Sequence, residues 1–287
     1  KLKAGEVDAV VLSLAVGPGP RDAAGIAAAR SEIDAKLAAV QASIAASQGQ
    51  LVLARSAADI VKAEQEGKTA VLLSFQNARA LGTDIGAINA LYDQGVRVFA
   101  FNHAGHNDWA DSSRPSEGEP VAEHNGLSPV GRQAVPRLND LGVLIDVSQL
   151  SKDALLQTLA LSRVPVAATH SNARSVREHT RSLSDEELDA IKANGGVVQV
   201  TPFNTYLVQL DEAAKARVRE VRVKYGLSSE FNAGNDNYST LRGDTQQAFL
   251  DELAQVQPRA TVKDFVDHID YIARRIGGMP AAMGWET

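Results

Sequence analysis

The sequence predicts an α/β fold built on parallel strands, and three observations carry that expectation. Short, apolar, often β-branched runs recur at residues 9–16 (AVVLSLAV), 70–75 (AVLLSF), 96–101 (VRVFAF), 143–147 (VLIDV), 164–169 (VPVAAT) and 197–200 (VVQV). The runs are near-continuous rather than alternating, which is the pattern of strands buried on both faces. Helix-like stretches separate them, and several of these stop at glycine just before the next run, as helix-to-strand junctions do.

The helical stretches follow in chain order. Residues 21–47 are Ala-rich, with Ile26, Ile33, Leu37, Val40 and Ile44 at helical spacing. Residues 56–66 open on Ser56 as a cap and stop before Gly67, 84–94 end at Gly95, and 129–141 end at Gly142. Residues 152–161 follow Ser151 as a cap, and 184–193 begin with a capping box of Ser184 and Glu187 and stop at Gly195. Residues 210–225, 244–255 and 262–276 are also helical, and 232–244 form a polar, Gly- and Asn-rich loop. Two architectures fit this alternation: an open doubly wound sheet and a closed (β/α)₈ TIM barrel. No G-x-G-x-x-G follows the first run, so the dinucleotide-binding form of the open sheet loses support.

Composition narrows the function. The 287 residues are 44% hydrophobic and 22% charged, enough for a large core and against wholesale disorder. The longest apolar runs reach roughly ten residues, too short to cross a bilayer. A net charge of −6 without a basic block argues against electrostatic nucleic-acid binding. The absence of cysteine excludes disulfides, thiolate metal sites and cysteine nucleophiles. No signal peptide is visible and the first residue is Lys, so the chain reads as a fragment or a processed form. A periplasmic or secreted location, if a leader has been removed, and a cytoplasmic one both stay open.

In a parallel barrel the active site gathers at the C-terminal ends of the strands. There the sequence places Gln76 and Asn77, Asn102 and His103, Ser148 and Gln149, His170 and Ser171, and Thr201 with Asn204 and Tyr206 close behind. His103 and His170, two of the six histidines, thus stand where imidazole can act as ligand or acid–base group. His106 and Asp108 read as loop structure, and His124, His179 and His268 as surface or packing residues. Asp146 reads as orienting a neighbour or closing a buried hydrogen bond. Arg174, Arg177 and Arg181 follow His170; an Arg there can fork onto a carboxylate, or the three form a solvated basic face. No phosphate-binding loop and no G-x-S-x-G elbow is present.

Four passages then resemble one family, the renal (membrane) dipeptidases and their bacterial relatives. They are residues 92–111 (YDQGVRVFAFNHAGHNDWAD), 126–151 (GLSPVGRQAVPRLNDLGVLIDVSQLS), 165–185 (PVAATHSNARSVREHTRSLSD) and 195–206 (GGVVQVTPFNTY). The resemblance implies a single (β/α)₈ barrel domain over residues 1–287, hydrolysis of dipeptides or small amides by a metal-activated water, and one or two zinc ions. It implies that His170 is a zinc ligand, that His103 contacts substrate and polarises the scissile carbonyl, that Arg181 grips the substrate carboxylate and that Tyr206 lines the same pocket. Gln76 stands where the family has a bridging Glu, and Gln149 where it has a second His ligand. Neutral amides are poor zinc ligands beside His or carboxylate, so a weak or single-metal site is expected. The family's first strand, with a His-x-Asp metal pair, and its eighth strand, with an Asp, have no counterpart in these residues and are expected in the intact protein. A small peptide or amide is the expected partner, with a homodimer open. The alternative is a non-catalytic barrel that has lost metal and holds a small carboxylate ligand through Arg181.

Overall fold

A computed structural model describes residues 2–229, 240–277 and 281–283. The chain divides into two compact units, Lys1–Pro115 with Pro120–Ala167, and Ser116–Glu119 with Ala168–Thr287.

The first unit runs β1 (Ala9–Ala15), α1 (Ala23–Ala46), β2 (Leu51–Leu53), α2 (Ala57–Gln65), β3 (Thr69–Gln76), a 3₁₀ turn (Ala78–Leu81), α3 (Ala87–Gln94), β4 (Val96–Ala100), α4 (Pro129–Leu141), β5 (Leu144–Asp146) and α5 (Lys152–Leu161). The pairings between its strands are all parallel. β1 covers one edge of β3 from Ala9 opposite Ala70 to Ala15 opposite Gln76. A strand has two edges, so β2 and β4 share the other: β2 lies against Thr69 to Val71, and β4 takes over from Leu73 across a register shift. β5 continues beyond β4, and Asp146 pairs with Ala167. The helices begin where the sequence supplies caps: Asp22, Ser56, Ser128 and Ser151 each accept a backbone N–H of the first turn. Such a cap is worth about 1 kcal/mol.

Beneath the C-terminal ends of β3 and β4 lies an aromatic cluster. Phe99 packs on Phe75, Phe101 and Trp109 with ring centroids 5.0, 5.3 and 5.9 Å away, and all four side chains are fully buried. The first turn of α4 closes over it at Gly131, where a Cβ would sit 2.1 Å from the Trp109 carbonyl oxygen.

The second unit takes over β6 (Ala167–Ala173) after its first residue. It continues with β7 (Ser182–Leu183), α6 (Asp185–Asn194), β8 (Val197–Val200), α7 (Asn204–Leu207), α8 (Glu212–Lys224), α9 (Gly243–Val256), α10 (Val262–Ile276) and β9 (Ala281–Met283). The strand order is β6-β8-β9, with β7 paired to β6 alone. α10 packs on α6 and β8. Its His268 is fully buried, and His268 Nδ1 accepts the Ala173 N–H at 3.0 Å.

Both units are therefore parallel α/β, as the alternation predicts. Four strands differ from expectation. β2, β7 and β9 have no counterpart among the expected strands; at three, two and three residues they are too short to show a period. The run expected at 164–169 forms a strand at Ala167–Ala173 instead. Pro165 has no N–H to give a ladder, so pairing starts after it and runs through His170. His170 therefore lies inside the strand rather than past its end. The expected loop at 232–244 lies largely outside the described residues, and α9 already begins at Gly243.

Two predictions follow from this packing. Gly131→Ala should cost about 1–3 kcal/mol by overpacking against main chain, read as a lower urea midpoint at unchanged slope. Burial pushes the His268 imidazole down to about 4 from 6.5, against the opposing pull of Asp267. The unfolded chain thus binds this proton first, so the contribution is full above pH 6.5 and is lost as pH falls toward 4. That loss should reach about 3 kcal/mol, and His268→Gln should flatten this segment of the stability–pH curve.

Candidate functional site

In the first unit, polar residues begin where the buried strands end. Gln76 is the last residue of β3, beside Ala15 of β1 and Ala100 of β4. The next residue, Asn77, turns into positive φ (+86°). Its side chain explains why it is Asn. Nδ2 donates to the carbonyls of Val16 (3.0 Å) and Gly17 (3.1 Å), and Oδ1 accepts from Arg79 N (3.2 Å) and Asn107 Nδ2 (3.0 Å). Arg79, also buried, donates to the carbonyls of Gly17 (3.0 Å), Pro20 (3.0 Å) and Gly25 (3.2 Å). Burial lowers its pKa. Together Asn77 and Arg79 tie the loop after β1 to the end of β3.

His103 follows β4 and is half-buried. Its Nδ1 lies 3.3 Å from the Val16 carbonyl oxygen. A carbonyl only accepts, so Nδ1 carries the proton in that contact and Nε2 of the neutral ring is an acceptor. The segment beyond His103 is folded around buried amides. Asn102 Nδ2 donates to the carbonyls of Gly105 and Ala110 (both 3.1 Å), while Asn107 Oδ1 accepts from Trp109 N (2.9 Å) and Ala110 N (3.1 Å). Asp111 is fully buried and accepts the N–H groups of Glu123 (2.9 Å), His124 (3.1 Å) and Gly126 (2.9 Å). Burial alone would raise its carboxyl, but those three amides and nearby His106 hold it below the usual carboxylate range.

Gln149 follows β5, with φ at +73°. Its Oε1 accepts from Ala104 N at 3.1 Å, and its carbonyl accepts from Ser113 N at 2.8 Å. Asp146 accepts from Ser148 N at 2.9 Å, which is the buried hydrogen bond expected of it. His106 is loop structure, its Nδ1 accepting from Ser112 N at 3.0 Å. Asp108 lies 3.6 Å from Arg21.

The second unit gathers His170, Arg181 and Tyr206. His170 Nδ1 is 2.8 Å from Thr169 Oγ1, and the His170 carbonyl accepts Arg181 Nη2 at 3.1 Å. The Arg181 guanidinium lies 5.4 Å from the Tyr206 ring centroid, close enough for a cation–π contact. His179, expected as a surface or packing residue, helps to order this group. Its ring lies 4.8 Å from that of Tyr206, and its Nδ1 accepts Arg181 N at 3.0 Å. Both Arg181 and Tyr206 are buried.

Of the groups that organise this end of the unit, Asn77 and Asn102 were marked by their position directly after apolar runs, while Arg79, Asn107 and Asp111 went unmarked. Among the described residues no three His, Asp or Glu side chains come together as a metal cluster. Gln76 and Gln149 offer neutral amides, and that of Gln149 is already bonded to the main chain. No described helix is long and apolar enough to cross a membrane.

Comparison with known proteins places the chain. The family described as Membrane dipeptidase (Peptidase family M19) matches residues 1–285. The crystal structure of the probable dipeptidase PvdM from Pseudomonas aeruginosa is 33% identical, with a TM-score of 0.82, over 99% of this chain and 75% of that one. A metallopeptidase from Rhodobacter sphaeroides, solved with a phosphinate mimic of the dipeptide L-Ala-D-Ala, has a TM-score of 0.74 over 99% of this chain and 75% of that one; at 19% identity this likeness shows the fold alone. Dipeptidase verJ of Clonostachys rogersoniana is 34% identical over 152 residues, 53% of this chain and 38% of that protein. Dipeptidase 3 of Rattus norvegicus is 33% identical over 134 residues, 47% of this chain and 28% of that protein. The chain thus spans well under half the length of these curated relatives. With the family match extending over residues 1–285, the chain belongs to the membrane dipeptidase family, peptidase family M19.

Proposed function

We propose that the protein hydrolyses dipeptides or related small amides, on the closed (β/α)₈ barrel that the family resemblance implies. The observation that carries this reading is the membrane dipeptidase family match over residues 1–285. The likeness to the probable dipeptidase supports it. Hydrolysis adds water across the amide C–N bond, leaving a carboxylate and an amine.

The residues of this chain take distinct parts, each within its own unit. Arg181, buried beside Tyr206, offers a guanidinium to a substrate carboxylate, the geometry that suits a planar anion. Tyr206 and His179 keep that guanidinium in place. His103, with Nδ1 turned to the Val16 carbonyl, accepts a substrate N–H at Nε2, and donates to a substrate carbonyl once protonated. Zinc is the metal the resemblance implies, and His170 is the one zinc-type donor kept among residues 76, 149 and 170. The two glutamines make a zinc pair a poor fit. A second reading, a barrel that binds a small carboxylate without turnover, is favoured by one observation: the Gln149 amide is bonded to Ala104 N.

Metal content and hydrolysis of a mixed dipeptide library, measured on the whole native protein with and without added Zn²⁺, separate these readings. The expected result is at most one zinc per chain and turnover that a chelator abolishes. Two tightly held zinc ions would overturn the divergent metal site, and no metal with no turnover under excess zinc would favour the binding protein. Arg181→Gln should raise KM for a dipeptide about tenfold or more, the loss of a charge-assisted hydrogen bond, with kcat changed much less.

A further inference from the structure

Gln149 holds the segment that carries His103 at two separate points. Its side-chain Oε1 accepts from Ala104 N at 3.1 Å, and its own carbonyl accepts from Ser113 N at 2.8 Å. Ala104 directly follows His103, and Ser113 lies where the same segment returns to the end of β5. An antiparallel bridge between Ser112 and Leu150 and a hydrogen bond from Ser151 N to the Asp111 carbonyl (2.9 Å) join the same two stretches.

Both residues of the side-chain contact adopt backbone conformations that a Cβ disfavours. Ala104 has φ +56° and Gln149 has φ +73°, and both are buried, at 2% exposure each. Left-handed backbone at non-glycine residues persists where surrounding contacts over-determine it, and it clusters at functional sites. Here the contact is visible. The left-handed turn at Ala104 directs its N–H to Oε1, and the turn at Gln149 brings the amide and its carbonyl to the same segment. A side chain spent in this way is a scaffold for His103, whatever ion lies near.

We propose that Gln149 is a positioning residue: its amide fixes the main chain that bears His103, in place of coordinating a metal. The meaning of this for catalysis rests on the hydrolase reading; the clamp itself does not. Gln149 exchanges a ligand's task for a hydrogen bond, which a neutral amide performs well.

The test is amide hydrogen exchange at Ala104 in the full-length protein, compared among the unmodified chain, Gln149→Met and Gln149→Glu, each with and without Zn²⁺ alone. Gln149→Met keeps the volume and removes the acceptor; it should speed Ala104 exchange about fivefold, the worth of one hydrogen bond, with Val71 in β3 unchanged. Gln149→Glu keeps an acceptor and should restore protection. Zinc should leave Ala104 exchange in the unmodified chain unaltered. Unchanged exchange in Gln149→Met would overturn the clamp, as would zinc that frees the Ala104 amide in the unmodified chain and no longer binds after Gln149→Met. Should Gln149→Met fail to fold, the zinc arm on the unmodified chain and the Gln149→Glu comparison still decide. On an active preparation, Gln149→Met should lower kcat more than it raises KM, with rescue by Gln149→Glu. Absence of dipeptide turnover in every variant would count against the hydrolase reading and leave the exchange result standing.

Discussion

Strand β3 is buried nearly throughout and hydrogen-bonded along both edges, and the first unit is arranged around that constraint. A strand in this position has no solvent-facing side on which to carry polar groups. Within the ladder its polar side chains are limited to Thr69 and Ser74 before the amides begin at its end, with Gln76 and Asn77. The same rule governs β4, where Phe101 gives way to Asn102 and His103. The aromatic cluster of Phe75, Phe99, Phe101 and Trp109 sets the boundary between core and chemistry. Phe75 and Phe101 are the last large apolar side chains before the amides of Gln76, Asn77 and Asn102 begin.

What lies above that boundary is organised by amides rather than by charge pairs. Asn77 satisfies the Val16 carbonyl on a segment distant in sequence, while Asn102 and Asn107 satisfy main-chain groups of their own loop, at Ala110 and Phe101. Asp111 serves the same end with a carboxylate, collecting three backbone N–H groups around the turn at 123–126. A buried polar group left unpaired costs more than a made hydrogen bond returns, so such networks tolerate few exchanges. The second unit uses a different device. There a cation, an imidazole and two aromatic rings stack, so that Arg181 is held by the faces and edges of its neighbours as well as by the His170 carbonyl.

Much of the fold was legible in the sequence because long, period-bearing segments declare themselves. α4, α5, β8 and α10 have the bounds their patterns predict, set by Pro129, by the Ser151 and Thr261 caps, and by glycines at their ends. Two- and three-residue strands such as β7 and β2 carry no period, since their pairing is imposed by the neighbour they lie against. β6 was displaced because Pro165 sits inside an otherwise strand-like run. His170, Arg181 and Tyr206, which the family resemblance singled out, come together in the second unit. Arg79, Asn107 and Asp111 were not legible, because a polar residue in a loop looks like surface until tertiary structure closes over it. His179 was hidden in the same way, in a stretch whose charges suggest solvent.

Arg79 has one further consequence. Its described hydrogen bonds run to backbone carbonyls alone, at Gly17, Pro20 and Gly25. A guanidinium stays charged across the whole biological pH range, and a carbonyl has no proton to gain or lose. The Arg79 hydrogen bonds to the loop after β1 therefore have no acidic half that could be neutralised, and, being buried, they are little screened by salt. The same loop carries a second fastening of the opposite kind, in which Arg21 forks onto the Glu123 carboxylate at 2.8 Å. Acid or brine that loosens that ion pair leaves the Arg79 bonds in place.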